Sequence, residues 1–101
     1  MSYFMRDVMG GTVDEPDTAT MAQVLEGLAE ADDEHPDVSL SHESGWCLSV
    51  FADGLVVWEN TEDDSVVPGE MRVSGREEAL RLFGFLAAGD VTALEELPWR
   101  R

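Results

Sequence analysis

Apolar residues recur along this chain with two different periods, and the change from one period to the other divides it into helices and strands. Met21, Val24, Leu25 and Leu28 fall at i, i+3, i+4 and i+7. This single stripe predicts an amphipathic helix from Thr18 to Ala31, capped by Asp17 or Thr18. Gly27 inside that helix marks a position where another element comes close. A second stripe, Ala79, Leu80, Phe83, Leu86 and Ala87, predicts a helix that ends at Gly89. Ser74 and Glu77 have the spacing of a capping box in front of it. A short helical turn holding Val91, Leu94 and Leu97 follows, capped by Asp90 or Thr92 and stopped by Pro98, with Trp99 folding back onto the core.

Between the helices the period falls to two. Val38, Leu40 and His42 alternate with Ser39 and Ser41, and Trp46–Phe51 and Leu55–Glu59 flank Ala52-Asp53-Gly54. A two-residue turn in this hairpin would mix polar and apolar side chains on both faces. A three-residue loop with Gly54 in the left-handed region pairs Val50 with Val56 and Leu48 with Trp58, leaving one face wholly apolar. The second register is expected, with Trp46, Leu48, Val50, Val56 and Trp58 in the core and Cys47, Ser49 and Glu59 turned away. Ser2–Val8 reads as a short strand ended by Gly10-Gly11, and residues 13–18 read as an acidic loop. Glu62-Asp63-Asp64 marks another loop, Val66-Val67 an edge segment or turn, and Glu70–Val73 a short strand.

The expected architecture is one α+β domain over residues 1–101: an antiparallel sheet of about four strands, an N-terminal amphipathic helix, and a C-terminal helix plus short turn on the Trp46/Trp58 face. Residues 1–17 and 60–69 are expected to be mostly loop. A chain of this length buries enough surface to fold without staples. No apolar stretch is long enough for a membrane span, and the N-terminus lacks the features of a secretory signal. Cys47 is the only cysteine, which fits a reducing compartment and a cytoplasmic protein.

Charge narrows the choice of partners. The chain carries 22 Asp and Glu against 6 Arg, with no Lys, for a formal net charge of -16. A field of one sign opposes acidic or phosphate-bearing ligands and favours a basic partner. The absence of Lys also matches the codon bias of a GC-rich genome, so part of the acidity reflects solubility and composition. Nucleic-acid binding is not expected, because the arginines are dispersed. Gly10-Gly11 precedes Asp14, Glu15 and Asp17 and does not form a phosphate cradle. His35, His42 and Cys47 are the only His and Cys residues, and their spacing matches no zinc pattern. They read as loop surface, strand edge and half-buried filler. Glu62-Asp63-Asp64-Ser65 lacks the spacing of a calcium loop, and Ser44-Gly45 lacks a nucleophile elbow. No catalytic residue, metal or cofactor is assigned.

The sequence Trp46-Cys47-Leu48-Ser49-Val50, Asp53-Gly54-Leu55-Val56-Val57-Trp58, a helix with Phe83 and Leu86, and then Leu97-Pro98-Trp99 resembles the first immunity-protein family of bacterial polymorphic toxin systems. The likeness runs over roughly residues 40–99 and rests on aromatic placement. It implies a small α+β domain that binds and blocks a basic toxin, commonly a nuclease or deaminase, and it transfers no catalytic residue. Asp32, Asp33, Glu34, Glu62, Asp63 and Asp64 are the acids expected to contact such a partner. Two other readings stay open: a small ligand-binding domain or enzyme with a pocket between sheet and helices, and a homo-oligomeric module that pairs through a strand edge near Val66-Val67.

Overall fold

The computed structural model describes residues 2–31 and 37–101. It is an α+β structure with six antiparallel strands in one sheet: β1 (Tyr3–Arg6), β2 (Thr12–Asp14), β3 (Asp37–His42), β4 (Trp46–Phe51), β5 (Leu55–Asn60) and β6 (Gly69–Arg72). Their spatial order is β2-β1-β3-β4-β5-β6. Helices α1 (Thr18–Glu26), α2 (Arg76–Ala87) and α3 (Val91–Glu95) complete the fold, with α1 against β1 and α2 against β3 and β4.

Strand parity decides which face the helices cover. Val13, Met5, Leu40, Leu48, Trp58 and Gly69 lie in one row across the sheet, and Val38, Val50, Val56 and Met71 in the next. These rows meet Met21, Val24 and Leu25 of α1 and Ala79, Leu82, Phe83 and Leu86 of α2 in a single core. The three-residue loop of the β4–β5 hairpin stands as expected, with Val50 opposite Val56 and Leu48 opposite Trp58. Gly54 occupies the left-handed region at φ 89, where a side chain would be strained.

Several expectations need revision. The stretch 1–17 holds, besides the expected strand, a second one that the sequence did not reveal, for β1 and β2 form a hairpin there. The Asp7 carboxylate accepts from the Met9 and Gly11 amides at 3.0 and 2.9 Å, and Gly10 sits at φ 84, which closes the turn and brings Val13 opposite Met5. A three-residue strand with one apolar position has no periodic signature to read. The α-helix stops at Glu26, and Gly27–Glu30 continues as a 3₁₀ turn. A Cβ on Gly27 would make only an ordinary 3.7 Å contact with Val8. In front of α2 the cap is displaced by one residue: Gly75 holds the N-cap position without a side-chain bond, and Glu78, not Glu77, accepts from the Ser74 amide and hydroxyl at 2.9 and 3.0 Å. Leu82 is fully buried on α2, whereas Leu80 and Ala87 of the expected stripe are half-buried. Asp17 and Asp90 are the caps of α1 and α3, and Gly89 takes φ 75 behind α2.

The C-terminal segment folds back, as expected. Trp58 is stacked on Trp46 at 4.3 Å and 5° and faces Trp99 on its other side at 6.1 Å and 15°. The Trp99 indole donates to the Leu94 carbonyl at 2.7 Å, which ties the tail to α3. Arg100 then pairs with Glu70 through two backbone bonds of 2.9 and 2.8 Å. Val66 and Val67 lie in the 61–68 loop and form no strand edge, and the β6 edge beside them carries this bridge.

Gly69 makes the tail's approach possible. A Cβ there would fall 2.7 Å from Trp99 Cβ, an atom fixed to backbone. Gly69→Ala is expected to lower stability by about 1–3 kcal/mol through overpacking, measured by urea unfolding, and to shift tryptophan emission to the red as Trp99 is pushed into water. An unchanged midpoint and spectrum would show that the tail does not depend on this contact.

Candidate partner-binding surface

At one end of the sheet three connections meet, and each contributes exposed acid. The Glu15 amide donates to the Tyr3 carbonyl at 2.9 Å and the Glu43 amide to the Ser2 carbonyl at 2.8 Å, so the ends of β2 and β3 flank the start of β1. Gly45 follows in the β3–β4 turn at φ 91, and its carbonyl accepts from the Thr61 amide and hydroxyl at 2.8 and 3.1 Å. That contact sets the Glu43 turn beside the loop holding Glu62, Asp63 and Asp64. Asp14, Glu15, Glu43, Glu62, Asp63 and Asp64 are all exposed along this end.

Of the described arginines with side-chain partners, only Arg101 reaches this end. Arg72 pairs with Asp53 at 3.2 Å at the far end of the sheet, Arg81 lies over the Phe85 ring at 5.4 Å, and Arg101 pairs with Glu95 at 3.2 Å and donates to the Val67 carbonyl. Six exposed acids against this one arginine leave the β2, β3 and β5 ends with a strong negative field.

Local hydrogen bonds shape this edge. The Asn60 side chain accepts from the Glu62 amide at 2.9 Å, and Asp63 accepts from the Ser65 hydroxyl at 2.6 Å and amide at 3.0 Å. The Ser65 hydroxyl first, and then its amide, hold the Asp63 carboxyl below its ordinary pKa, because both donors favour the charged form. Asp63 thus stays ionised at lower pH than a free carboxylate.

Of the acids singled out in the sequence, Glu62, Asp63 and Asp64 lie in this surface. Asp32, Asp33 and Glu34 fall outside the described residues. Asp37, the first described residue after them, starts β3 opposite Phe51 at the other end of the sheet. Asp14, Glu15 and Glu43 were missed, since nothing local to the sequence reveals that the β1–β2 hairpin brings them alongside the 61–68 loop.

His42 is not on a strand edge. It is 8% exposed on the helix side of β3, and its Nδ1 accepts from the Ser44 amide at 3.1 Å. A neutral ring then carries its proton on Nε2, which has no partner among the described residues. Cys47 faces away from the helices as expected, but at 8% exposure it is buried rather than half-buried. Burial pushes its thiol pKa up, so the nucleophilic thiolate is disfavoured. His35 lies outside the described residues.

A cavity of about 360 Å³ opens at the opposite end of the sheet, between the 3₁₀ turn, the β4–β5 loop and the start of α2. Its lining is largely apolar, with Leu25, Leu28, Val50 and Ala79, and its one carboxylate is Asp53, exposed and paired with Arg72. The cavity does not include the indoles of Trp46 and Trp58. Among the described residues no three His, Cys, Asp or Glu side chains are grouped to hold a metal, and no helix is long and apolar enough to cross a membrane.

Two substitutions probe this surface. Ser65→Ala is expected to raise the Asp63 pKa toward the ordinary carboxylate value, so that Asp63 loses its charge earlier as pH falls. A carboxyl-detected NMR titration reads this directly, and an unshifted Asp63 midpoint would refute the assignment of those bonds. Gly45→Ala places a methyl 2.6 Å from Asn60 Oδ1 at positive φ and is expected to destabilise by about 1–3 kcal/mol in urea unfolding, with chemical-shift changes reaching Thr61 and Glu62.

No family model matches the chain, and searches of curated proteins and of solved structures likewise found no match.

Proposed function

We propose that this chain is a non-catalytic binding protein that captures a basic protein and blocks it. The observation that carries this reading is the gathering of Asp14, Glu15, Glu43, Glu62, Asp63 and Asp64 along one end of the sheet. An acidic edge of this kind steers a positively charged partner into contact and raises its association rate by about 10- to 1,000-fold. The same edge repels polyphosphates. A rigid sheet is a suitable mount, because the two turns and the 61–68 loop are tied to one another by backbone bonds and hold their carboxylates in place before contact.

The likeness of residues 40–99 to an immunity-protein family gives the partner a character: a toxin that acts on nucleic acid and has a basic active-site cleft. An acidic protein seated in that cleft would occupy the place of the substrate phosphates. No chemistry is required of the blocker.

The test uses the full chain and the product of the gene next to its own, expected to carry a basic toxin domain. Binding is expected to weaken as salt rises from low to physiological ionic strength, where the screening length falls to about 8 Å. The combined change Glu62→Gln, Asp63→Asn and Asp64→Asn is expected to slow association about tenfold or more while leaving the unfolding midpoint little changed. Salt-independent binding, or a triple variant that associates at the parent rate, would remove the acidic end from the interface.

A further inference from the structure

The exposed carboxylates at the acidic end set how fast a basic protein arrives, and they do less to keep it there. Charges at the rim of an interface act mainly on the association rate, whereas apolar surface buried at short range acts on the dissociation rate. A charged surface that holds its partner is completed by an apolar contact among the charges. Three large hydrophobic residues stand exposed among those described: Phe4 at 36%, Met9 at 72% and Val67 at 59%. Phe4 lies on the face of the sheet away from the helices, opposite Ser41, and Met9 lies in the β1–β2 turn at the far end of the sheet. Val67 is the one that lies in the 61–68 loop, beside Glu62, Asp63 and Asp64.

This loop is held from two directions. Its first half is fixed from within, by the Ser65 amide and hydroxyl on the Asp63 carboxylate and by the Val66 amide, which donates to the Asp63 carbonyl at 3.2 Å. Its second half is fixed from outside. Arg101 Nε donates to the Val67 carbonyl at 3.0 Å, while Nη2 of the same guanidinium meets the Glu95 carboxylate of α3 at 3.2 Å. One planar group with donors on two edges thus ties the loop to α3. The bond falls on the main chain of Val67 and leaves its side chain exposed, so the residue is set in place before a partner arrives and less ordering is left to be done on contact.

We propose that Val67 is the apolar contact of the partner-binding surface and that Arg101 is the residue that positions it. This deepens, and rests on, the reading of that surface as the seat of a basic protein. The partner that fits is drawn more narrowly: a basic surface that also carries an apolar side chain or shallow apolar pocket among its lysines and arginines. Arg101 has the wrong sign of charge for attracting such a partner. Removing it does not slow association, so any loss of affinity has to come from the loop that it holds.

Binding kinetics of the full chain with the product of the neighbouring gene test it. Val67→Ser is expected to raise the dissociation rate about fivefold or more while the association rate stays within about twofold of the parent. Arg101→Ala is expected to raise the dissociation rate about threefold, with association unchanged or faster. The double variant should dissociate no faster than Val67→Ser alone, because both changes act through one contact. Without any partner, amide NMR relaxation should show added motion at Val66 and Val67 in Arg101→Ala, and since both substituted residues are exposed the unfolding midpoint should change little. A dissociation rate unmoved by Val67→Ser, in a chain whose Glu62/Asp63/Asp64 variant still associates slowly, would overturn this proposal and leave the acidic reading standing. Slower association in Arg101→Ala, or additive effects of the two changes, would remove the positioning role. A triple variant that associates at the parent rate, or no binding at all, removes the acidic reading and this one with it.

Discussion

Trp58 is the side chain on which the rest of the structure depends. It is wholly buried in the row that runs from Met5 through Leu40 and Leu48 to Gly69, with one indole on each side of it. Burying a side chain of this size is worth about 5 kcal/mol in transfer free energy, and each stacked pair adds about 1 kcal/mol. Against this stands the Trp58 indole N–H, which is buried without a partner among the described residues and costs about 1–3 kcal/mol. The apolar contribution wins. Because Trp46 comes from β4 and Trp99 from the tail, the same stack holds the central hairpin in register and brings the C-terminus back to the sheet. Gly69 is the concession that lets the tail in.

The charge acts against that cohesion. A net charge of -16 on so small a body works against compactness, yet the distribution limits the damage. Most of the described acids stand exposed in water. Some also contribute locally: Asp17 accepts from the Thr20 amide at 2.8 Å, and Asp53 accepts from the Leu55 amide at 3.1 Å. Both have depressed pKa values, through the bonds from Thr20 and from the Leu55 amide respectively. A carboxylate with a depressed folded-state pKa stabilises the fold above its unfolded pKa, and that contribution fades as pH falls through the folded value. Acid therefore relieves repulsion across the surface while it removes these caps, and the two effects oppose each other.

How much of this could be read from the sequence depended on how local the cause was. The hairpin register was legible because a one-residue slip would have put Trp58 beside Ser49, and the three-residue loop ending in Gly54 was the alternative that kept one face apolar. Both long helices were legible from their stripes, although Leu82 was missed. Its burial depends on how α2 sits over β3 and β4, which no periodicity reveals. β2 was hidden because its pairing follows from a turn closed by the Asp7 side chain and not from its own three residues. The acidic end was half legible: Glu62-Asp63-Asp64 is a run in the sequence, whereas Asp14, Glu15 and Glu43 reach it only through the order β2-β1-β3-β4-β5.

An antiparallel sheet can associate through its edges, its uncovered face or its ends, and this fold treats the three differently. Edges are closed. At one side β2 is only three residues long and ends in Asp14-Glu15, with Glu15 at φ 44 turning the chain away, which are features that discourage strand addition. At the other side the Arg100 bridge occupies Glu70, the middle of β6. Strand addition is thereby discouraged on both sides, including the side where Val66-Val67 had suggested it. Ends and face remain, and they differ in chemistry: one end is acidic, and the face is centred on serine with Arg6 and Arg72 set among Asp14, Asp37, Glu59 and Glu70 at its margins. The end concentrates acids of one sign, whereas the face keeps small residues at its centre and mixed charge at its margins, so one sheet presents two surfaces of different chemistry.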